Sequence, residues 1–329
     1  MAPRWSWDFE DEPQPKPRAR PLTPQPADAE AGAAPAAAPG APGTPRREVL
    51  VRRRRALALL AALVLLAVIV ALASGGSHHS GKSTHSRALA HAATRTPTDP
   101  EKDELQAVQS VLAYTPFVKE GTANAREIAL TFDDGPGPFT PQVLSVLEHY
   151  HVRATFFVIG KMLRYFGNST VREIEDGDVI GDHTETHPML AHLSAHEQYE
   201  ELFEQIARVE LLGGRRPVLF RPPYGSFNAI TLRELQRLHL LMVLWSVDTD
   251  DYQQPGVPVI VQRATEGMHP GAIILMHDAG GERQQTIEAL PLIIKAARAR
   301  GLKIVTVPQL LAADPPPHGQ PVPPNLSGD

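Results

Sequence analysis

The sequence predicts an α/β protein whose main domain is a distorted (β/α)7-type barrel, preceded by a disordered tail and a single transmembrane helix. Three observations predict it. From residue 127 onward, seven short apolar runs alternate with longer stretches of helical pattern, as βαβ units around a parallel sheet do. Polar residues of chemical interest directly follow five of those runs, whereas randomly placed turn residues would fall at both rims. Residues 56–73 are 18 apolar residues in succession, with no charge among them.

In chain order, residues 1–55 come first. Residues 1–47 of this stretch are rich in Pro and Ala, with the repeats PQPKPRARP and AAPAAAPGAPGTP, and hold almost no large apolar residue after Phe9. Such a composition cannot bury a core and predicts a disordered tail. It ends in the basic run RREVLVRRRR. The apolar segment 56–73 then spans ~27 Å as a helix, close to the thickness of a bilayer's hydrocarbon. Because the Arg cluster precedes it, the tail is expected in the cytoplasm and everything after it outside, in a single-pass cell-membrane protein. Ala71-Leu72-Ala73 before Ser74 also resembles a signal-peptide cleavage site. The segment is longer than a signal core, however, and 55 residues precede it, which favours an anchor. Residues 74–126 read as an extracytoplasmic linker, and the linker histidines His78, His79, His85 and His91 as part of a solvated spacer.

The barrel is expected over residues 127–312. Its strands are IALTF (128–132), TFFVIG (155–160), DVIGD (178–182), VLFRP (218–222), LMVLWSV (241–247), AIILM (272–276) and KIVTV (303–307). Seven such units fit a barrel with one strand missing or displaced. The clearest helix begins at Ser194, where Ser194 and Glu197 form a capping box; Leu202, Ile206 and Val209 share a face and Gly213 can end it. PQVLSVLEHYH and QQTIEALPLIIKAARARG are also helical in pattern, the second with an expected kink at Pro291. Residues 313–329 form a Pro-rich tail.

Composition narrows the chemistry. A formal net charge of −5 does not point to nucleic acid. Cysteine is absent, so a metal would need His and carboxylate. Asp133 and Asp134 are adjacent in TFDDGP, and HTETH places His183 and His187 four apart. A catalytic Zn²⁺ takes three protein ligands and keeps a position for water, and a further base must receive that water's proton. Asp133 and Asp134 can divide those two tasks. In HTETH the second position is Thr184, not the Glu that serves as base in HExxH, so the base must come from elsewhere. Pro188 makes HTETHP a turn after a strand. Taken singly, DDGP is also an ordinary acidic turn, and HTETH two surface histidines. Together at one rim, they argue for a shared site.

TFDDGP, HTETH, RPPYG, DTDDY and LMH occur in that order. With them, residues 127–312 resemble the polysaccharide deacetylases that share the NodB homology domain, carbohydrate esterase family 4. The resemblance implies that Asp133 is the catalytic base and that Asp134, His183 and His187 hold a divalent metal, with Thr184 bracing the loop. Zinc is the default, and Co²⁺, Mn²⁺, Ni²⁺ or Fe²⁺ also suit the ligands. It further implies that Arg221 orients Asp133, that the Tyr224 N–H helps hold an oxyanion, and that Asp248 supports His277 as the acid. Leu275 would line an acetyl pocket. Tyr252 stands where the family usually has Trp, which leaves one wall of the groove open; Trp245 can supply aromatic surface or simply pack.

The implied reaction is hydrolysis of N-acetyl groups on an N-acetylglucosamine-containing cell-wall or exported glycan, releasing acetate. O-acetyl ester cleavage by the same fold is a second option. A catalytically silent, membrane-anchored glycan-binding or scaffold protein is a third, although it would not need base, ligands and acid together. The expected partners are the acetylated glycan and the membrane; no nucleic acid or specific protein partner is read from the chain.

Overall fold

The computed structural model describes residues 99–319. The expected tail 1–55, the membrane segment 56–73, the linker up to residue 98 and the last ten residues lie outside the described residues. Among the described residues, no helix is long and apolar enough to cross a membrane.

The first elements, α1 (Asp99–Leu112) and β1 (Phe117–Val118), fall within the stretch expected to be linker. They belong to the folded unit, since Val108, Val111, Phe117 and Val118 are all buried. Only one face of α1 is apolar, which is why its composition reads as a spacer; the rest of the fold supplies the surface that face needs. β2 (Glu127–Asp133), α2 (Thr140–Tyr150), β3 (Thr155–Val158), α3 (Leu163–Asp176) and β4 (Val179–Asp182) follow as strand and helix units. α4 (Ala195–Leu211) begins at the expected Ser194–Glu197 capping box. Next come β5 (Leu219–Phe220), α5 (Ala229–Leu238), β6 (Leu241–Val243), β7 (Val247–Asp248), α6 (Val257–Gly267) and β8 (Ile273–His277). α7 (Gln284–Ala299), β9 (Lys303–Val305) and α8 (Val307–Ala313) complete the series. α7 runs as one continuous helix through Pro291.

The sheet runs β1-β6-β5-β4-β3-β2-β8-β7, with β9 beside the start of β2, and all its strand pairs are parallel. The stretch 241–247, expected as one strand, is split between the two ends of this order. β6 pairs with β5 and β1, and β7 with β8. Three residues join them, which limits the gap between Val243 and Val247 to ~14 Å. Leu244 N–H bonds to Val118 O at 2.7 Å, and Ser246 N–H to Ile273 O at 3.1 Å. The sheet therefore curls until its ends nearly meet, and a single bent segment spans the seam in place of a strand pair.

Alternation along the strands sorts the core into two sides. On β2, Ile128, Leu130 and Phe132 pack with Leu290, Ile293 and Ile294 of α7, while Ala129 joins the interior with Phe157, Leu241 and Ile273. Val108 and Val111 of α1 and Leu310 and Leu311 of α8 close this interior cluster. Each such large apolar side chain contributes ~1.5–3 kcal/mol on burial. The C-terminal tail also starts later than expected, because Tyr114 donates its hydroxyl to Pro316 O at 2.6 Å and stacks on His318 at 3.8 Å.

Candidate active site

Because alternate residues share a side, β2 carries Ala129, Thr131 and Asp133 inward, and its end delivers Asp133 and Asp134 to one rim. β4 ends at Asp182 and delivers His183 to the same rim; His187 follows after one turn. One donor atom from each of Asp134, His183 and His187 lies within 4.8 Å of the others. Asp134 Oδ1 is 3.1 Å from His187 Nε2 and 3.6 Å from His183 Nε2. Donors ~2.0–2.2 Å from one tetrahedral ion stand ~3.3–3.6 Å apart, so the spacing suits such an ion.

Two further observations fit a cation there. His183 Nδ1 is bonded to the Arg221 carbonyl at 2.7 Å, which leaves the Nε2 lone pair facing the cluster. Asp134 Oδ1 is buried without a hydrogen-bond donor, an orphan that a cation would satisfy. Burial alone would push the Asp134 carboxyl up, but His187 and His183 beside it outweigh that and hold it well below the usual carboxylate range. Asp134, Thr184, His187 and Tyr224 all have left-handed backbones, with φ of +72°, +69°, +65° and +57°. Non-glycine residues held this way cost ~1–3 kcal/mol each and gather where function needs them.

Arg221 is fully buried and bonded on every side. Its Nε donates to Val243 O at 3.0 Å, Nη2 to Leu244 O at 3.2 Å, and Nη1 to Thr131 Oγ1 at 2.8 Å and to Asp133 Oδ1 at 2.7 Å. The guanidinium lies 4.2 Å from the Phe157 ring centre. One oxygen of Asp133 is thus fixed, while Oδ2 points toward His183 Nε2 at 3.8 Å. A carboxylate with one oxygen tethered and one facing the cluster is arranged as a base. Sequence reasoning misses the role of Thr131 in this network; only its inward register on β2 hints at it.

His277 ends β8 in register with Asp133, on the flank of β2 away from β4, but its carboxylate partner differs from the one expected. Asp251, not Asp248, accepts from His277 Nδ1 at 2.7 Å, from the His277 backbone N–H at 2.9 Å and from the Thr286 hydroxyl at 2.7 Å. Asp248 closes β7, where its carboxylate accepts from Asp250 N–H at 2.8 Å. Asp250 is left-handed and pairs with Arg263 at 2.7 Å. The chain then turns through Asp251–Gln253, which swings Asp251 inward beneath His277. Burial disfavours the imidazolium, yet Asp251, with Asp134 and Asp133 behind it, raises the pKa of His277 to about 9. The ring is therefore cationic at neutral pH, with Nε2 free to give a proton. Asp278 turns away from this site; its carboxylate accepts from Thr140, and burial raises its pKa to about 7.

A cavity of about 220 Å³ opens between these groups. Every residue expected at the site lines it except Arg221, which lies behind Asp133 and bonds to it. Leu275, Trp245 and Tyr252 form its less polar walls. Trp245 also packs against both interior clusters, so it serves packing and cavity together. Tyr252 takes the wall position and meets the His277 ring edge-on at 5.3 Å. Thr184 does brace the loop, accepting from His187 N–H at 2.9 Å. Tyr224 places its hydroxyl 3.2 Å from His187 Nδ1, and burial, with Asp134 nearby, raises its phenol to about 12. A wider groove of about 610 Å³, lined by Tyr114, Asn124 and His318 among others, holds none of these residues.

The family described as polysaccharide deacetylase matches residues 120–243. A peptidoglycan-N-acetylglucosamine deacetylase of Bacillus cereus is 36% identical over 59% of this chain and 71% of its own length. The peptidoglycan-N-acetylmuramic acid deacetylase PdaC of Bacillus subtilis is 37% identical, over 57% of this chain and 39% of that longer protein. Among solved structures, a peptidoglycan N-acetylglucosamine deacetylase bound to 4-naphthalen-1-yl-N-oxidanyl-benzamide superposes with a TM-score of 0.59 at 35% identity, covering 61% of this chain and 94% of that one. On sequence, fold and the placement of its motifs, this chain belongs to the polysaccharide deacetylases of carbohydrate esterase family 4.

Proposed function

We propose that the protein is a metal-dependent N-deacetylase acting on N-acetylglucosamine-type residues of a cell-wall glycan. The observation that carries this reading is the meeting, around one cavity, of a tethered carboxylate, an Asp-His-His cluster and a cationic imidazole. A divalent ion held by Asp134, His183 and His187 would supply Lewis-acid activation of water and of the acetyl carbonyl. Asp133, held by Arg221, takes the water's proton. The Tyr224 N–H helps stabilise the oxyanion that follows attack. His277 then protonates the nitrogen, which leaves as an amine while acetate remains. Amines leave poorly unless protonated, so a buried acid that still carries its proton at neutral pH favours amide over ester cleavage. Two relatives named for peptidoglycan sugars support a wall glycan as the substrate.

The full chain is expected to release acetate from N-acetylated chito-oligomers or peptidoglycan. A chelator should abolish that release and added Zn²⁺ or Co²⁺ should restore it. Absence of chelator-sensitive acetate from every acetylated glycan tried would sink the enzyme reading in favour of a silent glycan-binding protein.

Residues 56–73 are further proposed to anchor the domain outside the cell membrane, with residues 1–55 in the cytoplasm. Their uncharged apolar length and the preceding Arg run support this. Membrane fractions should retain the full chain after high-salt and alkaline washes, and external protease should reach residues 99–319 in spheroplasts. Recovery of the chain in the wash, or protection of the domain, would count against the anchor.

A further inference from the structure

The turn that carries both histidines is gripped from outside by one face of α4, which the proposed chemistry does not use. Glu201, Gln205 and Arg208 are spaced by four and three residues, so they share a helix face. Glu201 accepts the Thr186 N–H at 2.7 Å and the Thr186 hydroxyl at 2.6 Å. Arg208 donates Nε to both carboxylate oxygens of Glu185, at 2.8 and 2.7 Å. Gln205, fully buried, donates to Val158 O at 3.1 Å and to Gly181 O at 3.4 Å, seating α4 on β3 and β4.

Glu185 and Thr186 are the two residues between Thr184 and His187, both of which are left-handed. Two non-glycine residues in that conformation within four positions persist only where their surroundings hold them. Bonds within the turn do part of this, since Asp182 accepts from Thr184 N–H at 2.7 Å and Thr184 from His187 N–H at 2.9 Å. The carbonyls of Thr184 and Glu185 are held from the side by Gly160 N–H and Lys161 N–H. The middle of the turn is fastened by α4.

We infer that Glu201 and Arg208 are positioning residues that set the metal affinity of the site, by holding Glu185 and Thr186 so that His183 and His187 face Asp134. The inference rests on Asp134, His183 and His187 being metal ligands. Neither residue lines the cavity. A turn freed from α4 must be reordered each time the ion binds, and partners outside the ligand shell are typically worth ~10–100-fold in affinity.

The test is calorimetric titration of Zn²⁺ into the metal-free full chain. Glu201→Ala is expected to bind Zn²⁺ ~10–100-fold more weakly. Glu201→Gln keeps an acceptor oxygen and should fall between that variant and the parent, and Arg208→Met should also weaken binding. Glu210→Ala, an exposed position of the same helix, should bind as the parent does. Saturating metal should restore kcat in Glu201→Ala with KM unchanged, which a general loss of fold would not do. If Glu201→Ala does not fold, Glu201→Gln and Arg208→Met carry the same comparison. Affinities of these variants indistinguishable from the parent's, or an equal loss in Glu210→Ala, overturn the inference while leaving the metal centre intact. A parent chain that takes up no Zn²⁺ overturns the metal centre itself.

Discussion

Replacing Asp251 with Asn is expected to lower kcat at neutral pH by ~10²–10⁴-fold and to move the alkaline limb of its pH profile downward. The direction follows from the charge. His277 donates its proton only as the imidazolium, and that form persists below a pKa raised to about 9. Activity that depends on it is therefore present at neutral pH and lost as pH rises through about 9. Burial opposes the cation, and Asp251 is the foremost group offsetting it. The amide in Asp251→Asn could still accept a bond from His277 but would bring no charge, so burial would prevail and the imidazole would lose its proton at lower pH. The profile of kcat across the neutral and alkaline range, alongside NMR titration of His277, reads this directly. Asp248→Asn should move the limb less, because Asp248 reaches the ring through its charge alone and makes no bond to it. An unchanged limb in Asp251→Asn, or a larger shift in Asp248→Asn than in Asp251→Asn, would restore Asp248 as the acid's support.

Asp133→Asn should reduce acetate release by ~10²–10⁴-fold while metal content stays near that of the parent. Asn cannot take a proton from water at neutral pH, yet its carbonyl can still accept from Arg221 Nη1. The ligand cluster does not depend on Asp133 for its contacts, since Asp134 Oδ1 meets both imidazoles. Stability should fall as well. Arg221 is fully buried, and removing the charge of a buried partner typically costs ~3–5 kcal/mol, less here because the hydrogen bond can survive. Melting temperature, metal analysis and acetate release measured on one preparation separate these effects. Loss of metal together with activity would mean that the two carboxylates share the ligand's task.

The chemistry is legible in the sequence because it is local. Asp133, Asp134, His183, Arg221, Asp248 and His277 each sit at the end of an apolar run, and parallel strands with a common direction bring such ends to one rim. The alternation of β2 likewise foretells that Asp133 points inward when Ile128, Leu130 and Phe132 point out. Less is legible where a partner lies far away in sequence. Asp248 and Asp251 are three positions apart and identical in type; the left-handed Asp250 and the turn after it bring the second beneath His277. Likewise LMVLWSV is one good strand by composition, yet Leu244 bonds to β1 and Ser246 to β8, on opposite sides of the seam. α1 reads as linker because its apolar residues make sense only against the end of the barrel.

The sequence by itself determined the class of fold, the rim at which the chemistry gathers and the residue types that can carry it. Those properties follow from periodicity, strand direction and the donor atoms each side chain owns. Tertiary structure alone decided which carboxylate pairs with His277, how the curled sheet is closed and that α4 clamps the histidine turn. These depend on backbone turns and on contacts between segments far apart in sequence, such as Asp251 and His277, 26 positions from one another, and no local pattern encodes such distances.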